Sequence, residues 1–252
     1  MNFFLGLLSF FQALPPESII VFEFLACGLL LLAAERFFKL AGLYVYTAIG
    51  VVVANMSVLK TVQFSFYPTP MALGTIVFSS LFLCSDMINE RYGKEAALKS
   101  MWLGFFGYFM ALVLMLLTLG YGDSPSAYFQ SAALFLLIPG PSLFLASLIA
   151  YFLGQYVDVW VYSFLRLKTG KKALWLRSFL STFVAIFIDN TIFSVLAWHV
   201  FALMPLGFSE IFWVYILGAS VLRVAVSIGN VPFMYMFKFL NRNEKNNVAS
   251  LS

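Results

Sequence analysis

The polar residues equipped to handle a solute are few, and they lie inside apolar segments. Asp86-Met87-Ile88-Asn89-Glu90-Arg91, Gln155 with Asp158, Ser181-Thr182 with Asp189-Asn190-Thr191, and Arg223 each fall in a run long enough to cross a bilayer. A charge at mid-bilayer costs about 2.5–3.5 kcal/mol on insertion scales, so such a side chain faces a partner or a wet cavity. A cluster of this kind marks a pocket or path for a polar solute, and the chain reads as a small transporter.

Each position carries a competing structural explanation. Asp86, Asn89 and Glu90 stand at i, i+3 and i+4, hence on one helical face. They are either a solvated helix end or a functional face. Asp86 follows an apolar run with no intervening turn, which favours the second, and Tyr92-Gly93 supplies a helix stop. Gln155 and Asp158 are one turn apart, with Arg166 two turns further on marking the interface. An acid at that depth calls for a base, and Arg223 is a candidate. Thr182 and Asp189 share a face; Asp189 is the deepest acid, with Asn190 and Thr191 on adjacent faces. Its structural alternative is again an ion pair with Arg223. Ser220, Arg223, Ser227 and Asn230 draw a polar stripe down an apolar helix. Lipid cannot satisfy such a stripe, so it faces other helices or water. His199, the single histidine, reads better as interfacial packing than as a proton relay. Glu23 and Glu35 lie near the two ends of the first span and read as interfacial.

The elements that position these residues are membrane helices. The chain is 62% hydrophobic and 10% charged, against about 25% charged in soluble domains, which excludes a soluble enzyme. Segments near 18–38, 41–62, 71–90, 98–120, 141–166, 175–204 and 211–240 reach the roughly 20 apolar residues that a spanning helix needs. Tyr67-Pro68-Thr69-Pro70, Gly120 to Pro125, Pro139-Gly140-Pro141 and Lys168 to Lys172 separate them. The expected fold is an all-α integral membrane protein, a polytopic bundle of about seven transmembrane helices, six core plus one N-terminal. It forms one transporter domain over 1–252, with residues 1–17 a short extracytoplasmic N-terminal segment and 241–252 a cytoplasmic tail. Met1 to Leu14 is apolar without the basic start of a signal peptide, and reads as an interfacial stretch.

Lys and Arg collect in alternate loops: Arg36 and Lys39, then Arg91, Lys94 and Lys99, then Arg166 to Arg177, then Lys238, Arg242 and Lys245. The positive-inside rule puts the N-terminus outside and the C-terminus in the cytoplasm. The net charge of +4 is thereby a topological signal, with no nucleic-acid partner implied. Cys27 and Cys84 lie in apolar segments and fit no zinc or redox spacing. There is no phosphate-binding glycine loop, no H-E-x-x-H, no nucleophile elbow and no TVGYG filter. No catalytic role, metal or cofactor is expected.

Three motifs in register resemble those of the queuosine precursor transporter family, within the vitamin uptake transporter group. Ser85-Asp86-Met87-Ile88-Asn89-Glu90-Arg91-Tyr92-Gly93 is similar to its D-x-x-N-E-x-Y-G signature. Leu153-Gly154-Gln155-Tyr156-Val157-Asp158-Val159 is similar to its G-Q-x-x-D-V segment. Trp175-Leu176-Arg177, Leu180-Ser181-Thr182 and Ile188-Asp189-Asn190-Thr191-Ile192-Phe193 resemble its L-R-x-x-x-S-T…D-T-x-x-F segment. Asn190 stands between Asp189 and Thr191, where the family usually has Asp followed directly by Thr. The resemblance covers about residues 45–240. It implies import of 7-deazaguanine bases for tRNA modification across the cytoplasmic (inner) membrane. The substrates would be 7-cyano-7-deazaguanine, 7-aminomethyl-7-deazaguanine or queuine. The alternative is the substrate-binding subunit of an energy-coupling-factor vitamin or nucleobase importer. The main reading needs no ATPase subunit; the partners are a small planar purine-like base and membrane lipid.

The side chains suit such a ligand. A guanine-like edge offers two adjacent donors that one carboxylate accepts together. Asp189 is the first choice, with Asn89, Gln155 or Asn190 for the carbonyl oxygen. Asp86 or Asp158 is placed to hold a cationic aminomethyl group, and Arg223 to set the charge state of the acids. Glu90, Ser181, Thr182 and Thr191 complete the expected set.

Overall fold

A computed structural model of the chain describes residues 2–66, 71–122, 131, 141–170, 172–202 and 204–249. The breaks expected at 67–70 and in most of 120–140 lie outside the described residues. The chain runs α1 (Asn2–Gln12), α2 (Pro16–Ser57), β1 (Thr61–Val62), β2 (Met71–Ala72), α3 (Thr75–Tyr92) and α4 (Lys94–Leu119). Then come α5 (Pro141–Thr169), α6 (Leu174–Val195), a π-helical turn π1 (Leu196–Val200), α7 (Phe208–Glu210), a second π segment π2 (Ile211–Gly218) and α8 (Ala219–Ala249). The last three run on without a break, and α8 continues into the stretch expected as a tail.

Among the described residues five helices are long and apolar enough to cross a membrane, so the protein is an all-α, multi-pass membrane protein. The first of the five folds back on itself. Lys39 sits at φ 56°, ψ −138°, outside helical space. Straight, α2 would carry its ends about 60 Å apart at 1.5 Å per residue. Instead Glu17 Oε1 accepts the Ser65 backbone N–H at 2.8 Å, and Cys27 and Ala54 belong to one apolar cluster. The two expected spans 18–38 and 41–62 are thus the arms of a hairpin, the second ending at Ser57. α3 is 18 residues long and carries Asp86, Glu90 and Arg91, too many charges to count as apolar. It survives in the bundle because those charges are enclosed by neighbouring helices. With it, the described residues hold seven long helical segments.

The two-residue ladder of β1 and β2 pairs Thr61 with Ala72 and Val62 with Met71, antiparallel. It ties the end of α2 to the start of α3. At the other end Gly93, at φ +91°, turns α3 into α4 within one residue. α5 and α6 share the broadest interface; α2 packs along α3 and α4. Large apolar side chains such as Phe22, Leu29, Phe106, Leu117 and Trp213 remain exposed on the outside, the surface a bilayer would cover.

Close helix approach rests on small residues. A Cβ placed on Gly28 would fall into the Phe233 ring, where the first arm of α2 meets α8. Without a hydrophobic drive between helices in lipid, such contacts supply the packing. Gly28→Leu is therefore expected to cost roughly 1–3 kcal/mol by overpacking, read as a lower midpoint of thermal unfolding in detergent. An unchanged midpoint would show that α8 is not held there.

Candidate functional site

The buried polar residues form three levels along the bundle. At one end the Lys- and Arg-bearing turns converge. Arg91 pairs with Glu35, and the Tyr44 hydroxyl donates to the Ala96 carbonyl at 3.2 Å. Glu35 is buried, where an interfacial position was expected. Glu90 is the centre of the cluster: Arg177 Nη2 reaches its Oε1 at 2.5 Å and the Tyr162 hydroxyl its Oε2 at 3.0 Å. Arg166 Nε stands 3.8 Å away, and Arg166 also donates to the Asn89 carbonyl. Asn89 Nδ2 donates to the Val159 carbonyl at 3.1 Å and to Ser163 at 2.9 Å.

Arg177 is the residue that sequence reasoning misplaced. It counts among the basic loop residues, yet it lies in the first turn of α6 with no exposed surface. Besides Glu90 it donates to the carbonyls of Gly170 (2.7 Å) and Lys172 (3.2 Å), closing the turn after α5. The available signal was its spacing: Arg177 and Ser181 are one turn apart, so they share a face.

The middle level joins α3, α5 and α6. Asp86 accepts from Ser178, and from Ser181 at 3.4 Å. Asp158 is fully buried beside it, with Ser85, Ser181 and Thr182 around its carboxyl group. Gln155 is buried one turn earlier on α5. Asp158 does not pair with Arg223.

The third level is a cavity of about 390 Å³ in the half away from the basic turns, within the size range of small-molecule sites. Asp189, Asn190 and Arg223 line it. Arg223 forms an ion pair with Asp189 and lies over the Phe78 ring with its centroid at 5.6 Å, and among the described residues its buried Nε has no partner. Asn190 Nδ2 donates to Ser220 Oγ at 2.8 Å. Ser147 donates to Asn55, and both line the cavity. The remaining wall is largely aromatic: Tyr108 against Phe144 (centroids 4.7 Å) and Trp198 against Tyr215 (5.1 Å). The Tyr108 hydroxyl and Trp198 Nε1 are buried without a hydrogen-bond partner among the described residues. Trp198 and Tyr215 stand on π1 and π2, and π turns recur at functional sites because they re-aim side chains. Sequence reasoning anticipated stacking rings but not these, since helical periodicity gives no register across a π turn.

Of the expected residues, then, Asp189, Asn190 and Arg223 meet at the cavity. Asp86, Gln155, Asp158, Ser181 and Thr182 lie deeper, and Asn89 and Glu90 are in the basic-end network. Thr191 is exposed on the outer face of α6, away from the cavity. His199 bonds through Nδ1 to the Leu206 carbonyl at 3.1 Å and packs on Phe208. Arg177 is fully buried and Glu90 half-buried with Tyr162 and Arg166 still beside it, so Arg177→Met is expected to cost about 1–3 kcal/mol. Adding Glu90→Gln should return at least half, measured by thermal unfolding in detergent. Equal loss in single and double variants would show that the pair's charge is not what matters.

Comparison with known proteins agrees with this architecture. Residues 72–237 match the model of the family described as "Putative vitamin uptake transporter". The chain is 30% identical, over 206 residues, to the "Probable queuosine precursor transporter" of Bacillus subtilis (strain 168), covering 81% of this chain and 86% of that one. No solved structure matches it. The chain belongs to the vitamin uptake transporter family, among its queuosine precursor transporters.

Proposed function

We propose that this protein imports 7-deazaguanine bases, the precursors of queuosine, across the cytoplasmic membrane, and that the cavity is where it binds them. The observation that carries the reading is the Asp189–Arg223 pair in the wall of an aromatic cavity. Arg223 supplies Asp189 with a fixed countercharge in the cavity wall. The carboxylate then accepts N1–H and the exocyclic amine of the base in one charge-assisted, two-point contact. Trp198 Nε1 and the Tyr108 hydroxyl, which have no partner among the described residues, are donors for the carbonyl oxygen and the 7-substituent. Phe78, Phe144 and Tyr215 provide the stacking faces for a planar ring.

Orientation supports import. The positive-inside rule places the basic end in the cytoplasm, so the cavity lies in the outer half, where a scavenged base arrives. The ion pairs of Glu90, Arg177, Arg166, Glu35 and Arg91 close the cytoplasmic end.

The test is uptake in cells that neither make queuosine nor carry their own importer or energy-coupling subunits, with queuosine in tRNA as the readout. The wild-type chain should restore modification with one of the three bases. Asp189→Asn, which keeps the shape but presents an amide to the donor edge, should reduce uptake at least tenfold at equal protein in the membrane. Trp198→Ala should raise the half-saturating base concentration about tenfold, the value of one lost hydrogen-bond donor. Full uptake by Asp189→Asn would sink the assignment of the site. Restoration only when energy-coupling subunits are supplied would make the chain a binding subunit instead.

A further inference from the structure

The middle level is not explained by base recognition. Asp86 and Asp158 are 1% and 0% exposed and stand next to each other where α3, α5 and α6 meet. Asp86 is provided for, receiving the Ser178 and Ser181 hydroxyls. Asp158 is not: among the described residues no hydrogen bond reaches either of its oxygens. The Ser85, Ser181 and Thr182 hydroxyls surround it without closing a bond of good geometry, and Ser85 Oγ is itself unpartnered. None of the ion pairs among the described residues involves either acid; the nearby guanidinium groups are committed, Arg177 to Glu90 and Arg223 to Asp189.

Two adjacent carboxylates, both ionised and enclosed within a membrane protein, would be penalised twice. Each loses several kcal/mol of hydration, and they repel each other, so one of such a pair retains a proton. The arrangement says which one. Asp86 accepts hydroxyl protons as a carboxylate does; Asp158, whose oxygens receive no hydrogen bond among the described residues, has the less stabilised negative charge and is the acid that takes the proton.

The charged and titratable neighbours are compatible with a proton that enters and leaves. α3 brings Cys84, Asp86 and Glu90; α6 brings Arg177 and Asp189; α5 itself brings Tyr162, one turn beyond Asp158. α4 contributes Lys94, held over the Trp160 ring at 4.8 Å, and π1 contributes His199, bonded to the Leu206 carbonyl. On the cavity side, the Asp189 Cβ lies 3.0 Å from where a Cβ of Gly154 would be, and Gly154 is one turn before Asp158. On the cytoplasmic side Tyr162 bonds Glu90 at 3.0 Å. Acids thus succeed one another from the cavity to the basic end: Asp189, Asp158 with Asp86, then Glu90. Two acids and three hydroxyls converge, and among the described residues no set of three His, Cys, Asp or Glu side chains gathers to hold a metal ion.

We propose that Asp158, with Asp86 as its partner, is a proton-binding site that couples import to the proton gradient. The proposal rests on the import reading above. In the outward-open state a proton from the cavity forms the O–H bond on Asp158. After the bundle opens to the cytoplasm that bond breaks, and the proton leaves past Glu90. One proton moves inward with each base and no electrons move, so a neutral base carries one positive charge per cycle.

Two measurements on the purified full-length chain in lipid test this. The first needs no substrate: infrared difference spectra recorded across a pH titration should show a protonated-carboxyl C=O band that is absent in Asp158→Asn. A spectrum identical in the two proteins would overturn the site. The second uses labelled 7-cyano-7-deazaguanine and proteoliposomes. An acidic exterior or an inside-negative potential should speed wild-type uptake several-fold and drive the base above its external concentration. In Asp158→Asn the remaining uptake should be flat with pH and never concentrative, which a merely structural defect would not produce. Wild-type uptake indifferent to both gradients, or dependent on sodium at fixed pH, would overturn the coupling. Failure of the base to enter under any condition would sink the import reading, and the infrared band alone would then decide the proton site.

Discussion

A guanidinium group with no surface exposed holds this bundle together at its basic end. Arg177 spends its donors on Glu90 of α3, on Tyr162 of α5, and on the carbonyls that follow α5. Inside a membrane protein such groups have only each other, since no water competes and none substitutes. The direction of α3, the closure of the turn after α5 and the start of α6 all follow from satisfying this one cation. Three helices that would otherwise be free to slide are thereby set in register, and the levels above depend on that register.

The same constraint explains why α3, 18 residues long with three charges in its last two turns, is the most enclosed helix. α3 cannot face lipid with Asp86, Glu90 and Arg91, so α2, α4, α5, α6 and α8 surround it. The outer helices carry the opposite composition, and their large apolar side chains remain on the surface. Polarity therefore increases from the rim of the bundle to its axis, the reverse of a soluble domain.

Along that axis the two halves differ. The basic half is filled with ion pairs and hydrogen bonds, and among the described residues its buried side-chain polar atoms have partners. The other half holds a cavity whose Tyr108, Trp198 and Arg223 retain unpartnered polar atoms. Among the described residues the π turns belong to this half. A site that must receive and release a solute is made from the part of the bundle where satisfaction is incomplete, because a fully paired site has nothing left to offer a ligand.

Much of this was legible in the chain itself. Length, composition and the alternation of basic turns specify a helical membrane protein, since hydrocarbon admits few other backbones. The three motifs specify the family, and the depth of Asp189 and Arg223 marks them as groups needing a partner. The sequence could not say that Asp189, not Asp158, takes Arg223, because helical spacing orders residues on one helix and is silent about the rotation of its neighbours. Nor could it separate Arg177 and Glu35 from the basic and acidic residues of solvated turns, as a charge two residues inside a helix reads like one two residues outside. Thr191, beside Asn190, fell on the outer face for the same reason: successive helical residues diverge by about 100°. The sequence by itself determined which residues must be enclosed. Only the tertiary structure decided which of them meet, because the pairing of charges in a bundle is set by helix rotation and crossing, distances that no single helix contains.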